Sequence, residues 1–178
     1  GRINMPTLQK LADRGLMYSQ WHTTALCSPT RSTFLTGRNH HVNGCSCITE
    51  AAQGYPGWSG RIPDECATIG QVLQDNGYST FWLGKNHNVP EQDIASGANR
   101  SQWPLQKGFD RFYGTLHGSG SFYDPSSLTR DNEAISPFAD PEYQPQTYYY
   151  TDAISDHAAR FIHDKFRPSA GNEIRPLF

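Results

Sequence analysis

The stretch ALCSPTRSTFLTGR, residues 25–38, spaces a cysteine, a proline and an arginine two residues apart. Cys27 comes directly before a predicted helix start, where Ser28 is a candidate N-cap and Pro29 suits the first turn. The free amide groups and the dipole at a helix N-terminus favour an anion, and a thiol placed there is expected to be reactive. Arg31 follows about one turn later, and its guanidinium suits a tetrahedral oxyanion. This pattern predicts a reactive group beside an oxyanion site.

The spacing excludes one thiol chemistry. Thiol phosphatases resemble C-x5-R, whereas the residue six positions after Cys27 is Thr33 and the arginine comes at C-x3-R. This shorter spacing leaves no room for a phosphate-wrapping loop. Because a cysteine near a helix start is most often an inert, small apolar side chain, the interpretation of Cys27 depends on the motifs that accompany it.

The other three cysteines favour packing over metal binding. Cys45 and Cys47 form a Cys-x-Cys pair near His40 and His41, but zinc sites typically use Cys-x-x-Cys with a second pair of ligands, and no second pair follows. Four cysteines in a chain of 178 residues do not form a disulfide scaffold either. We expect buried thiols, or one facultative disulfide, at these positions.

The composition is that of a globular domain or of part of one. The chain has 15 Lys and Arg against 17 Asp and Glu, a formal net charge of -2, and 36% hydrophobic residues. The near-neutral charge gives no reason to expect nucleic acid or an anionic membrane as a partner. No apolar run approaches the ~18 residues of a membrane span. No signal peptide is visible, which leaves the compartment open.

Four helices are predicted from apolar periodicity and from residues that begin and end helices. Pro6 suits the first turn of the first helix, Pro29 and Gly37 begin and end the second, and Asn76-Gly77 ends the third. The last of the four has a strong apolar face. The predicted helices cover residues 5–15, 28–37, 64–78 and 147–166.

Two strands complete the predicted elements. Residues 78–84 are β-branched and aromatic and predict a buried strand, and residues 174–178 begin a second one. From residue 86 to about residue 146 the chain is polar with little periodicity, which indicates a lid, a substrate-facing wall, or an error in assigning so long a stretch as loop. Alternating helices and strands predict an α/β fold with a mostly parallel sheet.

The stretch CSPTRSTFLTGR resembles the signature of the formylglycine-dependent (type I) sulfatases, members of the alkaline-phosphatase-like superfamily. Cys27, Pro29 and Arg31 match its C-x-P-x-R pattern, and residues 35–37 match L-T-G. Further along, GYSTFWLGKNH resembles the Gly-Lys-x-His motif of the family and GFDRFYG the turn that follows it. The resemblance covers nearly the whole chain, and HTTALCSPTRS with TGRNHH is most similar to the bacterial arylsulfatase branch.

This resemblance implies the fold and the extent of the domain. Residues 1–178 would be part of a sulfatase catalytic domain with both flanks missing. The fold would be an α/β, alkaline-phosphatase-like layered structure, with a mostly parallel sheet and helices on both faces. The compartment would be the bacterial cytoplasm, or the periplasm or exterior.

The resemblance also implies the chemistry of Cys27. A maturation enzyme would oxidise Cys27 to formylglycine, whose hydrated aldehyde offers two hydroxyls. One would attack the sulfur of a small sulfate ester, such as an aryl sulfate, and the other would drive the elimination of sulfate. A calcium ion, or magnesium, would hold the diol of the modified Cys27, with carboxylate ligands that lie outside this chain. Arg31 would stabilise the ionised diol.

Lys85 and His87 match the Lys-x-His of the family motif. If the chain leaves the strand extended, residues two apart face one side. Lys85 would then clamp sulfate oxygens, and His87 would bond the diol and assist proton transfer. The family usually continues with Trp-His-Leu-Gly after the lysine, whereas this chain has Asn86 and Asn88 on either side of His87.

Two other functions remain open from the sequence. The scaffold could be a non-catalytic or decayed alkaline-phosphatase-like module that binds anions or a partner. It could also hydrolyse phosphoesters or phosphonates. The carboxylates in the reading frame on either side of this segment would discriminate an enzyme from a binding module.

Overall fold

A computed structural model describes residues 3–167 and 175–178. Its elements are four α-helices and four strands, with three short 3-10 helices between them. The α-helices are α1 Pro6–Arg14, α2 Cys27–Thr36, α3 Ile69–Asp75 and α4 Tyr150–Phe166; the strands are β1 Phe81–Leu83, β2 Arg111–Thr115, β3 Leu128–Arg130 and β4 Glu133–Ala134; the 3-10 helices are Thr49–Ala51, Glu91–Asp93 and Pro104–Lys107.

The four strands form one sheet in the order β1-β2-β3-β4. β1 and β2 run parallel, and a parallel bridge joins Ser79 to Leu177, whereas β2–β3 and β3–β4 are antiparallel. The α/β class is confirmed, but the described part of the sheet is mixed rather than mostly parallel. Only the two residues Asp131 and Asn132 link β3 to β4, and a link that short permits only antiparallel pairing.

The residues of β1 alternate between two packed layers. Trp82 packs against a core that includes Leu35 of α2 and Phe109. Phe81 and Leu83 pack on the opposite side, against the core that contains residues of α4. Because successive strand residues face opposite sides of a sheet, β1 is covered by helices on both faces, as expected.

The third helix is shorter than predicted. It begins at Ile69 because Thr68 caps it: the Thr68 hydroxyl accepts from the Gln71 amide, and the Gln71 side chain accepts from the Thr68 amide. The residues from 64 to 67 therefore lie outside the helix. Val72, predicted on the buried face, is 50% exposed, while Gly70 packs closely against the ring of Phe109.

The long polar stretch was only partly understood from the sequence. Residues 86–146 contain three of the four strands, and four of the five residues of β2 are buried. The assignment of loop throughout was wrong there, because a five-residue strand next to Gly108 is too short to show a clear period. The predicted strand at 174–178 is represented by the bridge at Leu177, and residue 174 lies outside the described residues.

The first helix has no buried residue. Leu8 and Leu11 share one face and are 55% and 63% exposed. Within residues 3–167 and 175–178, no helix combines the length and the hydrophobicity needed to cross a bilayer.

Candidate active site

The start of α2 presents Cys27 at its first helical position. Leu26 is the residue before the helix, in an extended conformation, and no side chain caps the first turn. The prediction that Ser28 caps this helix was wrong, because Ser28 lies inside the first turn and is fully buried. Amide groups of this turn are therefore not engaged by a capping side chain. The helix ends where predicted, at Gly37 in the left-handed conformation (φ 64°).

His87 arrives at this helix start from the end of β1. Its amide donates to the Leu116 carbonyl at 3.1 Å, which continues the parallel pairing beyond β2. His87 has φ 58°, and Gly84 has φ 95°. The expectation of an extended chain through this segment was therefore wrong. His87 faces α2 because the backbone turns at these two residues, not because of strand alternation.

Cys27 and His87 are in direct contact. Cys27 Sγ lies 3.1 Å from His87 Nδ1, and His87 Nε2 lies 2.9 Å from each carboxylate oxygen of Glu50. A carboxylate at neutral pH can only accept, so Nε2 carries the proton. In a neutral ring Nδ1 is then an acceptor. The imidazole therefore presents a base to the thiol, and the thiol proton points at it.

Burial, together with nearby positive charges, keeps the imidazole of His87 neutral. Burial lowers the pKa of His87, the Glu50 carboxylate opposes this shift, and the charges of Lys85 and Arg31 add to it. For Glu50, burial raises the pKa. Hydrogen bonds from His87 and the backbone, together with the nearby imidazoles of His87 and His117, outweigh burial and bring the pKa below its usual value. The pair at neutral pH is thus an uncharged imidazole that donates to an ionised carboxylate.

Arg31 and Lys85 bring two positive charges to the same place. Arg31 Nη1 donates to the Lys85 carbonyl oxygen at 2.7 Å, so the guanidinium joins α2 to the end of β1. Burial lowers the pKa of Arg31, but an arginine stays protonated at neutral pH. The Lys85 side chain is partly buried and has no hydrogen-bond or ion-pair partner among the described residues. Its ammonium group is available to an anion.

The two asparagines that replace apolar family residues have structural partners. Asn88 Nδ2 donates to the Ser28 carbonyl at 3.1 Å, and the Asn88 amide donates to Asn86 Oδ1 at 2.9 Å. Both side chains are buried. Asn88 thereby joins the His87 segment to the first turn of α2, while Asn86 holds the backbone of Asn88 in place.

Sequence reasoning missed Glu50, His117 and Gly118. Glu50 lies in the short Thr49–Ala51 helix, and the Thr49 amide donates to Ser28 Oγ at 3.4 Å. His117 Nε2 lies 3.5 Å from Glu50 Oε1. A Cβ at Gly118 would lie 2.2 Å from the His87 ring. No motif or period marks these positions, because each reaches the site through a loop.

The three cysteines outside the site are free thiols, which agrees with the expectation of buried thiols rather than with that of a disulfide. Cys45, Cys47 and Cys66 are buried and unpaired with one another. Burial raises the pKa of Cys45 to about 11, with a hydrogen bond to Ser32 opposing the shift. Cys45 and Cys66 pack in the apolar core that also contains Leu35 and Ile62.

The residues at this site do not form a calcium site by themselves. Calcium prefers six or more oxygen ligands, several of them carboxylates. In the part of the chain that the structure describes, the only carboxylate hydrogen-bonded to the four predicted site residues is Glu50, and both of its oxygens contact His87. Arg31 and Lys85 are positive. No group of three or more metal-ligating His, Cys, Asp or Glu side chains occurs within the described ranges.

The chain belongs to the sulfatase family. The family model described as Sulfatase matches residues 1–170. Among similar proteins, an uncharacterized sulfatase of Schizosaccharomyces pombe is 32% identical over 79% of this chain and 25% of its own length. Human arylsulfatase D is 32% identical over 86% of this chain and 24% of its own length. An arylsulfatase of Klebsiella aerogenes is 27% identical over 83% of this chain and 33% of its own length.

Solved structures show the same fold. A protein described as bound to its substrate D-glucosamine-2-N,6-O-disulfate has a TM-score of 0.65 and 24% identity, over 98% of this chain and 28% of its own. A sulfatase from Pseudoalteromonas sp. has a TM-score of 0.61 and 18% identity, over 97% of this chain and 36% of its own. The alkaline-phosphatase-like fold is therefore confirmed. The chain spans between about a quarter and about a third of the length of these relatives.

Proposed function

We propose that this chain carries the nucleophile and its base in an enzyme that hydrolyses small sulfate esters, with aryl sulfates as the class to test first. The observation that supports the proposal is the 3.1 Å contact between Cys27 Sγ and His87 Nδ1 at the start of α2. Sulfatase membership gives the reaction class. The names of two relatives, arylsulfatase D and arylsulfatase, point to aryl esters.

The nucleophile in this proposal is formylglycine, made from Cys27 by a maturation enzyme that supplies the oxidant. In the hydrated aldehyde, one hydroxyl oxygen attacks the ester sulfur, the bond from sulfur to the ester oxygen breaks, and the proton of that hydroxyl ends on the alcohol or phenol that leaves. The sulfate group is then bonded to Cβ of residue 27. The second hydroxyl gives up its proton, its oxygen forms the C=O double bond, and the bond from Cβ to the sulfate oxygen breaks.

His87 is the acceptor for that proton. Its Nδ1 carries a lone pair because Nε2–H is donated to Glu50. A base placed within hydrogen-bond distance of a reacting hydroxyl typically contributes about 10²–10⁴-fold to a rate. Sγ of Cys27 stands at the position of one diol oxygen, so the observed contact is the one that this step requires.

Arg31 and Lys85 supply positive charge to the sulfate oxygens and to the ionised diol. Both contribute to the electrostatic environment of His87, and the Lys85 ammonium has no partner among the described residues. A fixed cation in a site shielded from water stabilises negative charge more strongly than in bulk solvent. The calcium ion implied by the resemblance would need carboxylate ligands that these residues do not provide, and we assign no step to it.

The test is made on the full-length protein produced with and without a maturation enzyme. Mass spectrometry of the tryptic peptide 15–31 measures the fraction of formylglycine, and a chromogenic aryl sulfate measures turnover. We expect turnover in proportion to that fraction, and none in Cys27→Ala. Equal activity with an unmodified thiol would contradict the mechanism. Faster hydrolysis of the matching aryl phosphate would contradict the substrate class.

A further inference from the structure

Glu50 lies behind His87 on the side opposite to Cys27. Both carboxylate oxygens of Glu50 lie 2.9 Å from His87 Nε2, while Cys27 Sγ lies 3.1 Å from Nδ1. The three groups form one line of hydrogen bonds: carboxylate, imidazole and reactive side chain. This geometry, in which a base is oriented by a third group, is what a nucleophile and its base require.

We propose that Glu50 is a positioning residue for the sulfatase reaction: it holds the His87 ring so that Nδ1, and not a protonated nitrogen, faces residue 27. The inference rests on the proposed function and adds to it a residue outside the C-x-P-x-R and Lys-x-His motifs. If the ring turned by half a rotation about its bond to the chain, its two nitrogens would exchange places with carbon atoms. The contact with residue 27 would then be lost.

The position of Glu50 is itself fixed by the first turn of α2. Its neighbour Thr49 donates its amide to Ser28 Oγ at 3.4 Å, and Ser28 directly follows Cys27. Glu50 therefore keeps its distance from residue 27 as long as α2 is in place. His117 Nε2 approaches the same carboxylate at 3.5 Å, so a second imidazole lies beside Glu50, whose side chain is partly open to solvent.

The opposite face of the ring is restricted by the chain itself. Gly118 approaches so closely that even a Cβ would lie 2.2 Å from the ring atoms of His87. This contact limits where the ring can lie but offers no hydrogen bond that selects one nitrogen over the other. Within residues 3–167 and 175–178, only Glu50 accepts a hydrogen bond from Nε2 of the ring. The choice of nitrogen therefore depends on Glu50.

The experiment uses full-length protein with Glu50→Leu, which has no acceptor, and Glu50→Gln, which keeps one. Glu91→Gln is the control, because Glu91 is exposed and its side chain makes none of these contacts. Rates are expressed per formylglycine, measured on the peptide 15–31. We expect Glu50→Leu to lower kcat about 10-fold or more, with KM within about 3-fold, since small misplacements of a reacting group carry losses of this order. Glu50→Gln should recover part of the loss.

A second measurement does not depend on sulfatase activity. In protein made without maturation, Cys27 remains a thiol, and the base beside it promotes its reaction with iodoacetamide. We expect slower alkylation of Cys27 in Glu50→Leu than in wild type and in Glu91→Gln. Unchanged kcat and unchanged alkylation in Glu50→Leu would overturn the inference, as would equal losses in the Leu and Gln variants. A wild-type protein that carries formylglycine but has no turnover would instead overturn the proposed function, and the alkylation result would still decide the role of Glu50.

Discussion

The helices α1 and α2 have similar lengths and similar end signals, but only α2 is buried. α1 has nine residues, a proline in its first turn and a clear apolar stripe, and none of its residues is buried. α2 has ten residues and little apolar periodicity, yet four of its residues are buried, two of them serines. Ser32 donates to the Pro29 carbonyl, and Ser28 accepts from Thr49. The helix with the weaker apolar pattern is the one that carries the site.

The difference shows what an apolar stripe can and cannot specify. A stripe predicts that a helix forms and that one face will be covered, but it does not identify the covering surface. α2 is fixed by polar contacts at its first turn and by Leu35 in the core near its end. Polar contacts have directions, and for that reason they can hold Cys27 to within hydrogen-bond distance of His87. Four predictions test this difference between the helices.

The largest effect is expected from the arginine of α2, with an arginine of α1 as its control. In full-length protein, Arg31→Ala should lower turnover of an aryl sulfate by ~10²-fold or more, because a cation aimed at developing negative charge is lost. Arg14→Ala in α1 is the matched control, since Arg14 is exposed, and should leave turnover unchanged. Steady-state kinetics per formylglycine measures both. A loss of only a few-fold in Arg31→Ala would contradict the role given to Arg31.

Two leucines compare the helices in stability. Leu35→Ala should lower the free energy of unfolding by about 2–3 kcal/mol, at the lower end of the range for a buried leucine, because Leu35 also lines an open cavity of about 450 Å³. Leu11→Ala should change it by no more than about 0.5 kcal/mol. Urea denaturation of the 178-residue chain measures both values. Equal costs would show that α1 is packed in solution.

A further prediction concerns α4, whose buried His157 should make the free energy of unfolding depend on pH. His157 is fully buried, donates Nδ1–H to the Ala153 carbonyl, and has no partner for Nε2 among the described residues. Burial lowers its pKa, with the charges of Arg160 and Arg130 adding to the shift and Ala153 and Asp140 opposing it. The unfolded chain therefore binds this proton at higher pH than the native chain does. Stability should fall as pH drops below the usual histidine range of about 6.5, and level off below the native pKa.

The measurement is urea denaturation of the chain at a series of pH values from about 7.5 to 5. His157→Phe, which keeps an aromatic ring against Tyr113, should reduce the slope. His163→Gln is the control, because the His163 side chain is 70% exposed. An unchanged slope in His157→Phe would assign the pH dependence to other groups.

The smallest effect on stability is expected from the stripe of α1. Leu8→Ser with Leu11→Ser should leave the free energy of unfolding within about 0.5 kcal/mol. It should nevertheless lower the self-association of the chain, because exposed apolar surface favours contact between molecules. Sedimentation velocity at several concentrations reports the change, and Lys10→Ala serves as the control. If the double substitution left self-association unchanged, the apolar stripe of α1 would not be the surface through which the chains associate.

Sequence reasoning succeeded where local signals or a motif were available. The helices ending at Gly37 and at Asn76, the long α4, and the joint presence of Cys27, Arg31 and His87 are examples. Arg31 and Lys85 also meet, although through the Lys85 carbonyl and not through a shared anion. The bend at His87 carries no sequence signature, because a left-handed histidine is rare and is imposed by its surroundings.

The elements that were missed depend on contacts between distant parts of the chain. β2 is stabilised by pairing with β1 and β3 on either side. Its own five residues contain a glycine, which strands disfavour. Glu50 contacts His87 across 37 positions of sequence. A pattern-based argument reaches about one helix turn or one strand, so neither contact could be anticipated.

The burial of Ser28 and Pro29 has a consequence for the order of events in the cell. In the proposed maturation, an enzyme that modifies Cys27 would have to contact the residues that follow it, and in the folded chain Ser28 and Pro29 are buried. Cys27 itself is held against His87. Modification and folding would therefore compete in time, and a molecule that folds first would keep its thiol. Slower folding at low temperature, or more maturation enzyme, would raise the share of converted molecules without any change in the sequence.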